Sequence, residues 1–166
     1  MKLNILLFFI LLSGYLIAAQ QESLSPELKE AALRDSACAK SADPAESAPT
    51  LTETAIRSGG KDVGEIVKVQ GACHCEGPNC DNLVYLHSSQ GYKLALHEKY
   101  ASLHPMKIVK LGMPSLTGQF EVGQEKMETT VYDWDGKSYK PSLCATVIKG
   151  KRVPSITRHP CKLAAQ

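Results

Sequence analysis

The sequence lacks a dominant charge and a membrane-spanning segment. Its 166 residues hold 19 Lys and Arg against 17 Asp and Glu, which gives a net charge of +2, and aromatic residues make up only 6%. The longest apolar run, at the N-terminus, is shorter than the about 20 residues that a transmembrane helix needs. These shortages predict an ordinary single domain with no membrane partner after N-terminal processing.

The sequence also lacks every common catalytic signature in complete form. His97-Glu98 opens a metalloprotease motif, but Ala101 stands where the second histidine belongs. Gly112 to Ser115 does not complete the nucleophile motif G-x-S-x-G, and no redox C-x-x-C is present. Asp133 to Gly136 resembles the start of a calcium loop, but Cys144 occupies the position of the liganding glutamate. We therefore predict no enzyme, no catalytic residue, no cofactor and no bound metal.

What is present begins with MKLNILLFFILLSGYLIAAQ. Lys2 precedes an apolar run at residues 5–12, and Ala18-Ala19 offers the small residues of a cleavage site, which is the layout of a secretory signal peptide. A membrane anchor is the alternative, but polar and small residues interrupt the run. We assign residues 1–19 to a signal peptide and predict a periplasmic or secreted protein.

Six cysteines follow the predicted signal. An even number in an oxidising compartment favours disulfides, and six allow 15 pairings. Two cysteines two residues apart on a strand cannot pair, whereas Glu-Gly-Pro-Asn between residues 75 and 80 has turn-forming composition. The predicted pairs are Cys75–Cys80, Cys144–Cys161 and Cys38–Cys73.

The segment GACHCEGPNCDN raises a metal site as an alternative to these disulfides. Zinc needs four converging ligands, and strand alternation would direct His74 away from its two neighbouring cysteines. We therefore expect these thiols to form structural disulfides and not a metal site.

The fold class predicted is α+β. Ser25-Pro26-Glu27 is a helix start, so a helix is expected from about Pro26 to Ala39, and the capping box at Thr50 to Glu53 predicts a second short helix. From Val63 the sequence changes to short β-type runs separated by turn residues. We expect a helical segment and linker at 20–62, followed at 63–166 by a disulfide-stapled antiparallel sheet or small barrel of hairpins.

Two turns and one aromatic cluster stand out in the β region. Ser88 to Gly91 and Asp135-Gly136 are expected to close hairpins. Around the second turn, alternation places Tyr132 and Trp134 on one face, near Tyr139. These aromatic residues are either core packing, which we favour, or an exposed binding patch.

Five basic residues lie near the C-terminus with no acid between them. Such a tail could meet an anionic wall polymer, lipid or nucleic acid, but a solvated end is the simpler interpretation. We therefore predict no nucleic-acid partner. The residues are Lys149, Lys151, Arg152, Arg158 and Lys162.

The order of G-x-C-H-C-x4-C, LVYLHSSQGYKLAL and TTVYDWDGKSYKPSLC resembles a group of small exported bacterial β-rich proteins of uncharacterised function. They share a C-x4-C turn and a Tyr-x-aromatic-Asp-Gly-Lys-x-Tyr hairpin, and the likeness covers residues 63–144. The resemblance implies export and a β-rich fold, and it carries over no catalytic residues. The additional Cys73 and Cys161 depart from the pattern.

These observations predict a non-enzymatic binding module with a protein or envelope component as its partner. One alternative is an inhibitor of a cell-wall hydrolase, although Ser89 to Tyr92 only approaches the Ser-Gly-x-x-Tyr loop of lysozyme inhibitors. A second alternative is a metal- or redox-active protein that uses the cluster Cys73, Cys75 and Cys80.

Overall fold

The computed structural model describes residues 24–36, 48–149 and 154–161. In this part of the chain, one helix precedes ten strands. The helix α1 spans Pro26–Asp35, and the strands are β1 Thr50–Ser58, β2 Lys61–Gln70, β3 Cys75–Glu76, β4 Asn79–Ser88, β5 Gly91–Tyr100, β6 Ser102–Lys110, β7 Met113–Glu121, β8 Lys126–Trp134, β9 Tyr139–Ile148 and β10 Ser155–His159.

The strands form two antiparallel sheets whose neighbours follow chain order closely. In the first sheet, β1, β2 and β4 are hydrogen-bonded side by side, with β3 and β5 both paired to β4. The second sheet runs β6 to β10 in simple succession. Short turns join most neighbours, as hairpins require, and only Ala101 separates β5 of the first sheet from β6 of the second.

Strand alternation builds two separate cores on the two faces of the first sheet. On β4, Leu83 and Tyr85 face α1, where they pack against Leu28 and Ala32. The intervening Val84 faces the second sheet. The result is a layered arrangement in which α1 covers one face of the first sheet and the second sheet covers the other. The core between the sheets comprises Ile56, Ile66, Val84, Tyr100, Leu103, Leu116, Tyr132 and Tyr139.

The first predicted helix begins as expected. Ser25 is its N-cap and accepts a hydrogen bond from the Leu28 amide at 3.2 Å, and Pro26 occupies the first helical position. The helix is shorter than predicted, because Ser36 is already extended. Its remaining predicted residues, 37–39, lie outside the described ranges.

The second predicted helix, at Thr50 to Glu53, is wrong. These residues open β1, which pairs with β2 in a register that joins Thr50 to Gln70. The capping box is a local signal, whereas pairing along β1 satisfies the backbone and places Ile56 in the core. Both predicted turns are confirmed: Ser88 pairs with Gly91, and residues 135–138 connect Trp134 to Tyr139.

Two predicted disulfides are confirmed, Cys75–Cys80 and Cys144–Cys161. Cys75 and Cys80 are directly opposed residues of β3 and β4. Cys73 is also disulfide-bonded, but its predicted partner, Cys38, lies outside the described residues. The disulfides suggest a protein that resides outside the cytoplasm. Among the described residues, no helix has the length and apolar character needed to cross a bilayer.

Candidate functional site

The cysteine–histidine segment forms a tight corner at one end of the first sheet. Strand β2 ends at Gln70, before this segment, and both the His74 and Cys75 amides donate to the Gly71 carbonyl at 3.1 Å. The alternation used to separate His74 from the cysteines therefore does not apply. All five described cysteines are in disulfides, which leaves none of them as a thiolate ligand.

His74 is connected to the first sheet through the buried carboxylate of Asp81. Asp81 on β4 is 1% exposed. Its Oδ2 lies 3.1 Å from His74 Nδ1, and its Oδ1 lies 3.3 Å from His97 Nε2, so each imidazole can donate an N–H to a different oxygen. The Asp81 amide also donates to the His74 carbonyl at 2.9 Å. These contacts connect the corner to β4 and β5 and satisfy a carboxylate that is costly to bury alone.

The predicted aromatic cluster lies mainly in the core between the sheets. Tyr132 and Tyr139 are 4% and 3% exposed, and the half-buried Trp134 packs edge-on against Tyr139 with ring centroids 5.2 Å apart. The Tyr139 hydroxyl donates to the Pro114 carbonyl at 3.1 Å. This placement favours core packing over an exposed patch for these three residues.

The most exposed large apolar side chain among the described residues, that of Leu111, lies instead on the β6–β7 hairpin. Leu111 and Gly112 form its two-residue turn, with φ angles of +50° and +80°. Positive φ at both central positions is the signature of a type I′ turn, in which Asn-Gly is favoured and leucine is not. Leu111 is the one described non-glycine residue with positive φ, and its side chain is 73% exposed.

Two more apolar residues extend this surface. Ile108 and Val109 are each 54% exposed. Ile108 lies in the irregular part of β6, where the register with β7 shifts, and Val109 is the first residue paired again after it. We call Ile108, Val109, Leu111 and Gly112 the β6–β7 tip. An exposed leucine at positive φ is uncommon, and backbone strain of this kind clusters at functional sites.

Polar contacts hold the β6–β7 tip in place at its base. Ser58, at the end of β1, donates its hydroxyl to the Gly112 carbonyl at 2.6 Å. Lys110 forms an ion pair with Asp133 on β8, and Ser115 donates to the same carboxylate. Burial opposes the ionisation of Asp133, but hydrogen bonds from Lys110 and two serines outweigh it and lower the pKa of this carboxyl. These contacts hold the base of the exposed tip in a fixed position.

A second candidate site is a cleft between the two sheets, with a volume of about 380 Å³. Glu98 and Tyr100 reach it from β5. Phe120 and Glu128 are directly opposed on β7 and β8. Lys99 and Thr130 complete the lining. The cleft is therefore built on three strands, and both sheets contribute to it.

The shape of the cleft depends on a close approach at Gly118 on β7. A Cβ added there would lie 2.5 Å from the Tyr100 ring, so only glycine leaves room for this tyrosine. The Tyr100 and Tyr132 hydroxyls are 2.7 Å apart and hydrogen-bonded. Tyr100 is thereby held at the boundary between the core and the cleft.

Electrostatics distinguish the two carboxylates of the cleft. Burial raises the pKa of Glu98, and the neighbouring His97 opposes the rise. No ion pair or hydrogen bond is found for the Glu98 side chain among the described residues. Glu128 has a side chain 46% exposed, with a carboxylate oxygen 3.3 Å from Lys126 Nζ. Burial also raises the pKa of Tyr100, with further contributions from both carboxylates.

The sequence gives no sign of the roles of Asp81, Leu111 and Glu128, and it presents Glu98 only as part of an incomplete metalloprotease motif. Asp81 adjoins a predicted turn but belongs to β4, together with Asn82 and the apolar residues after it. The Leu-Gly pair between two β-type runs is a weaker turn signal than Asn-Gly. For the glutamates no sequence signal exists, because they lie 30 positions apart.

No group of three His, Cys, Asp or Glu side chains is arranged to hold a metal ion within the described ranges. Two surfaces of the described residues are candidates for binding: the β6–β7 tip, suited to contact with another molecule, and the inter-sheet cleft. A scan against protein-family models finds no match, and searches of curated proteins and of solved structures find no similar protein.

Proposed function

We propose that this protein is a non-enzymatic binding module of the periplasm or the secreted space, and that it binds a protein partner through the β6–β7 tip. The observation that carries the proposal is Leu111, a highly exposed leucine held at positive φ. An L-residue other than Asn or Asp in this conformation costs about 1–2 kcal/mol. A leucine at this position therefore lowers the stability of the free protein, and we propose that contact of its side chain with a partner offsets this loss.

The tip has the composition of an interface centre. Three of its side chains are apolar and exposed, and a few such residues usually supply most of the binding energy of an interface. The contacts of Ser58 and Asp133 at its base hold the hairpin in position before binding, which reduces the entropy lost on association.

The test compares capture of partners from an envelope extract by the wild-type protein and by Leu111→Asp. The matched control is Val122→Asp, at an exposed apolar residue on the β7–β8 turn at the opposite end of the sandwich. We expect a partner that is retained by wild type and control and lost by Leu111→Asp, with affinity for the purified partner reduced at least tenfold. Equal capture by all three proteins contradicts the proposal.

An inhibitor of a cell-wall hydrolase is a second candidate, favoured by the exposed basic residue Lys107 beside the apolar tip; the charge of Lys110 is already paired with Asp133. Glycoside hydrolases carry paired carboxylates in a concave cleft, and a convex basic hairpin is complementary to such a cleft. The assay is lysis of a bacterial wall suspension by a purified lysozyme. Inhibition that Leu111→Asp abolishes supports this candidate, and unchanged lysis in the presence of excess wild-type protein rejects it.

A further inference from the structure

We propose that the cleft between the sheets binds a small organic cation, such as an amine with an apolar body. This site is separate from the β6–β7 tip and does not depend on the function proposed for it. The cleft volume of about 380 Å³ falls within the range of small-molecule sites. Its walls come from strands of both sheets, so the packed core supports its shape.

The polar groups of the cleft select positive charge. Glu98 and Glu128 both line it, and both act on the Tyr100 hydroxyl, which places the two carboxylates around one region. Lys99 also belongs to the lining. Since successive side chains of a strand point to opposite faces, Lys99 is directed away from the face that Glu98 and Tyr100 share.

Glu98 is the carboxylate of the cleft to which a cation would bind most favourably. Burial raises its pKa, His97 opposes the rise only in part, and in the described part of the chain it has no ion pair or hydrogen bond. A cation in the cleft would supply that missing interaction. Glu128 already has a cationic partner, since Lys126 Nζ lies 3.3 Å from its carboxylate.

The remaining lining explains the preference for an organic cation over a bare metal ion. Calcium takes six to eight oxygen ligands, and among the described residues no third acidic, histidine or thiol side chain joins the pair at ligating positions. Phe120 and Tyr100 instead offer aromatic surface, which attracts ammonium groups and packs against hydrocarbon.

The experiment is an NMR titration of ¹⁵N-labelled protein with benzylamine, and with benzyl alcohol as a neutral probe of similar shape. We expect saturable shifts at the amides of Tyr100, Phe120 and Thr130 with the amine, and at least tenfold weaker binding of the alcohol. Glu98→Gln should weaken amine binding at least tenfold, because it keeps the shape of the side chain and removes its charge.

Glu76→Gln is the matched control, since it removes one exposed carboxylate from β3 outside the cleft. This variant should bind benzylamine as the wild type does. Equal affinity for the amine and the alcohol, equal weakening by both substitutions, or no shifts in the cleft up to tens of millimolar amine would each overturn the proposal. A Glu98→Gln spectrum that otherwise matches wild type shows that the fold is retained.

Discussion

Because the turn of the β6–β7 tip is strained, we expect substitutions at its two adjacent residues to change the free energy of unfolding in opposite directions. Leu111→Asn should stabilise the protein, because asparagine tolerates positive φ and Asn-Gly is the favoured type I′ pair. Gly112→Ala should destabilise it, since φ is +80° and an added Cβ would contact nothing within 4 Å. The second effect therefore comes from the backbone alone.

The magnitude for Leu111 follows from two opposing terms. Relief of the left-handed conformation is worth about 1–2 kcal/mol for a residue with a Cβ. Leu111 is 73% exposed, so the substitution loses only about a quarter of the about 1.5–3 kcal/mol that full burial of a leucine provides. The net gain is about 0.5–1 kcal/mol, which raises Tm by about 1–4 °C for a chain of this size.

The magnitude for Gly112 is similar but of opposite sign. Strain costs about 1–2 kcal/mol, and reduced freedom of the unfolded chain offsets about 0.4–1 kcal/mol of it. Urea denaturation followed by fluorescence of Trp134, the single tryptophan, measures both free energies of unfolding. Thermal unfolding by circular dichroism provides an independent check.

Three outcomes are distinguishable in this pair of variants. A stabilised Leu111→Asn and a destabilised Gly112→Ala confirm the strained turn. If Leu111→Asn is destabilising while Gly112→Ala has no effect, the type I′ geometry and the reasoning from strain are both refuted. A Leu111→Asn protein that is more stable and yet loses its partner links the strain to binding, as expected of a stability–function trade-off.

Three further predictions concern the carboxylates and the disulfides. Asp81→Ala should lower the free energy of unfolding in urea by about 2–4 kcal/mol, because it leaves His74 and His97 without their buried acceptor; a loss below 1 kcal/mol would show that water replaces it. Glu98→Gln should raise stability at pH 7, since burial raises the folded-state pKa of Glu98 and penalises its charged form. The gain should shrink as pH falls through that raised pKa and vanish below the ordinary glutamate pKa of 4.5, and a gain that is constant from pH 7 to 4 contradicts this. Removing Cys75–Cys80 by double alanine substitution should cost about 2 kcal/mol and removing Cys144–Cys161 about 3 kcal/mol, because the second closes a longer loop; the reverse order in urea denaturation would show that loop length does not govern the effect.

Local signals in the sequence predicted a substantial part of this structure. The capped start of α1, the hairpin turns at Ser88 to Gly91 and Asp135-Gly136, and two disulfides are all confirmed. Each depends on residues close in the chain or on the small number of ways in which cysteines can pair. The capping box at Thr50 shows the limit of such local signals. It matches the pattern of a helix start, but the segment forms strand β1 because it pairs with β2.

The candidate sites depended on tertiary structure. The amino-acid sequence by itself determined the β-rich class, the cysteine framework and the absence of a complete catalytic motif. Only the packing of the two sheets brought Glu98 beside Glu128, and only the register of β6 and β7 put Leu111 at a strained turn. The physical reason is that alternation assigns residues to faces, whereas sheet order and register decide which faces meet. Contacts between distant strands have no local sequence signal.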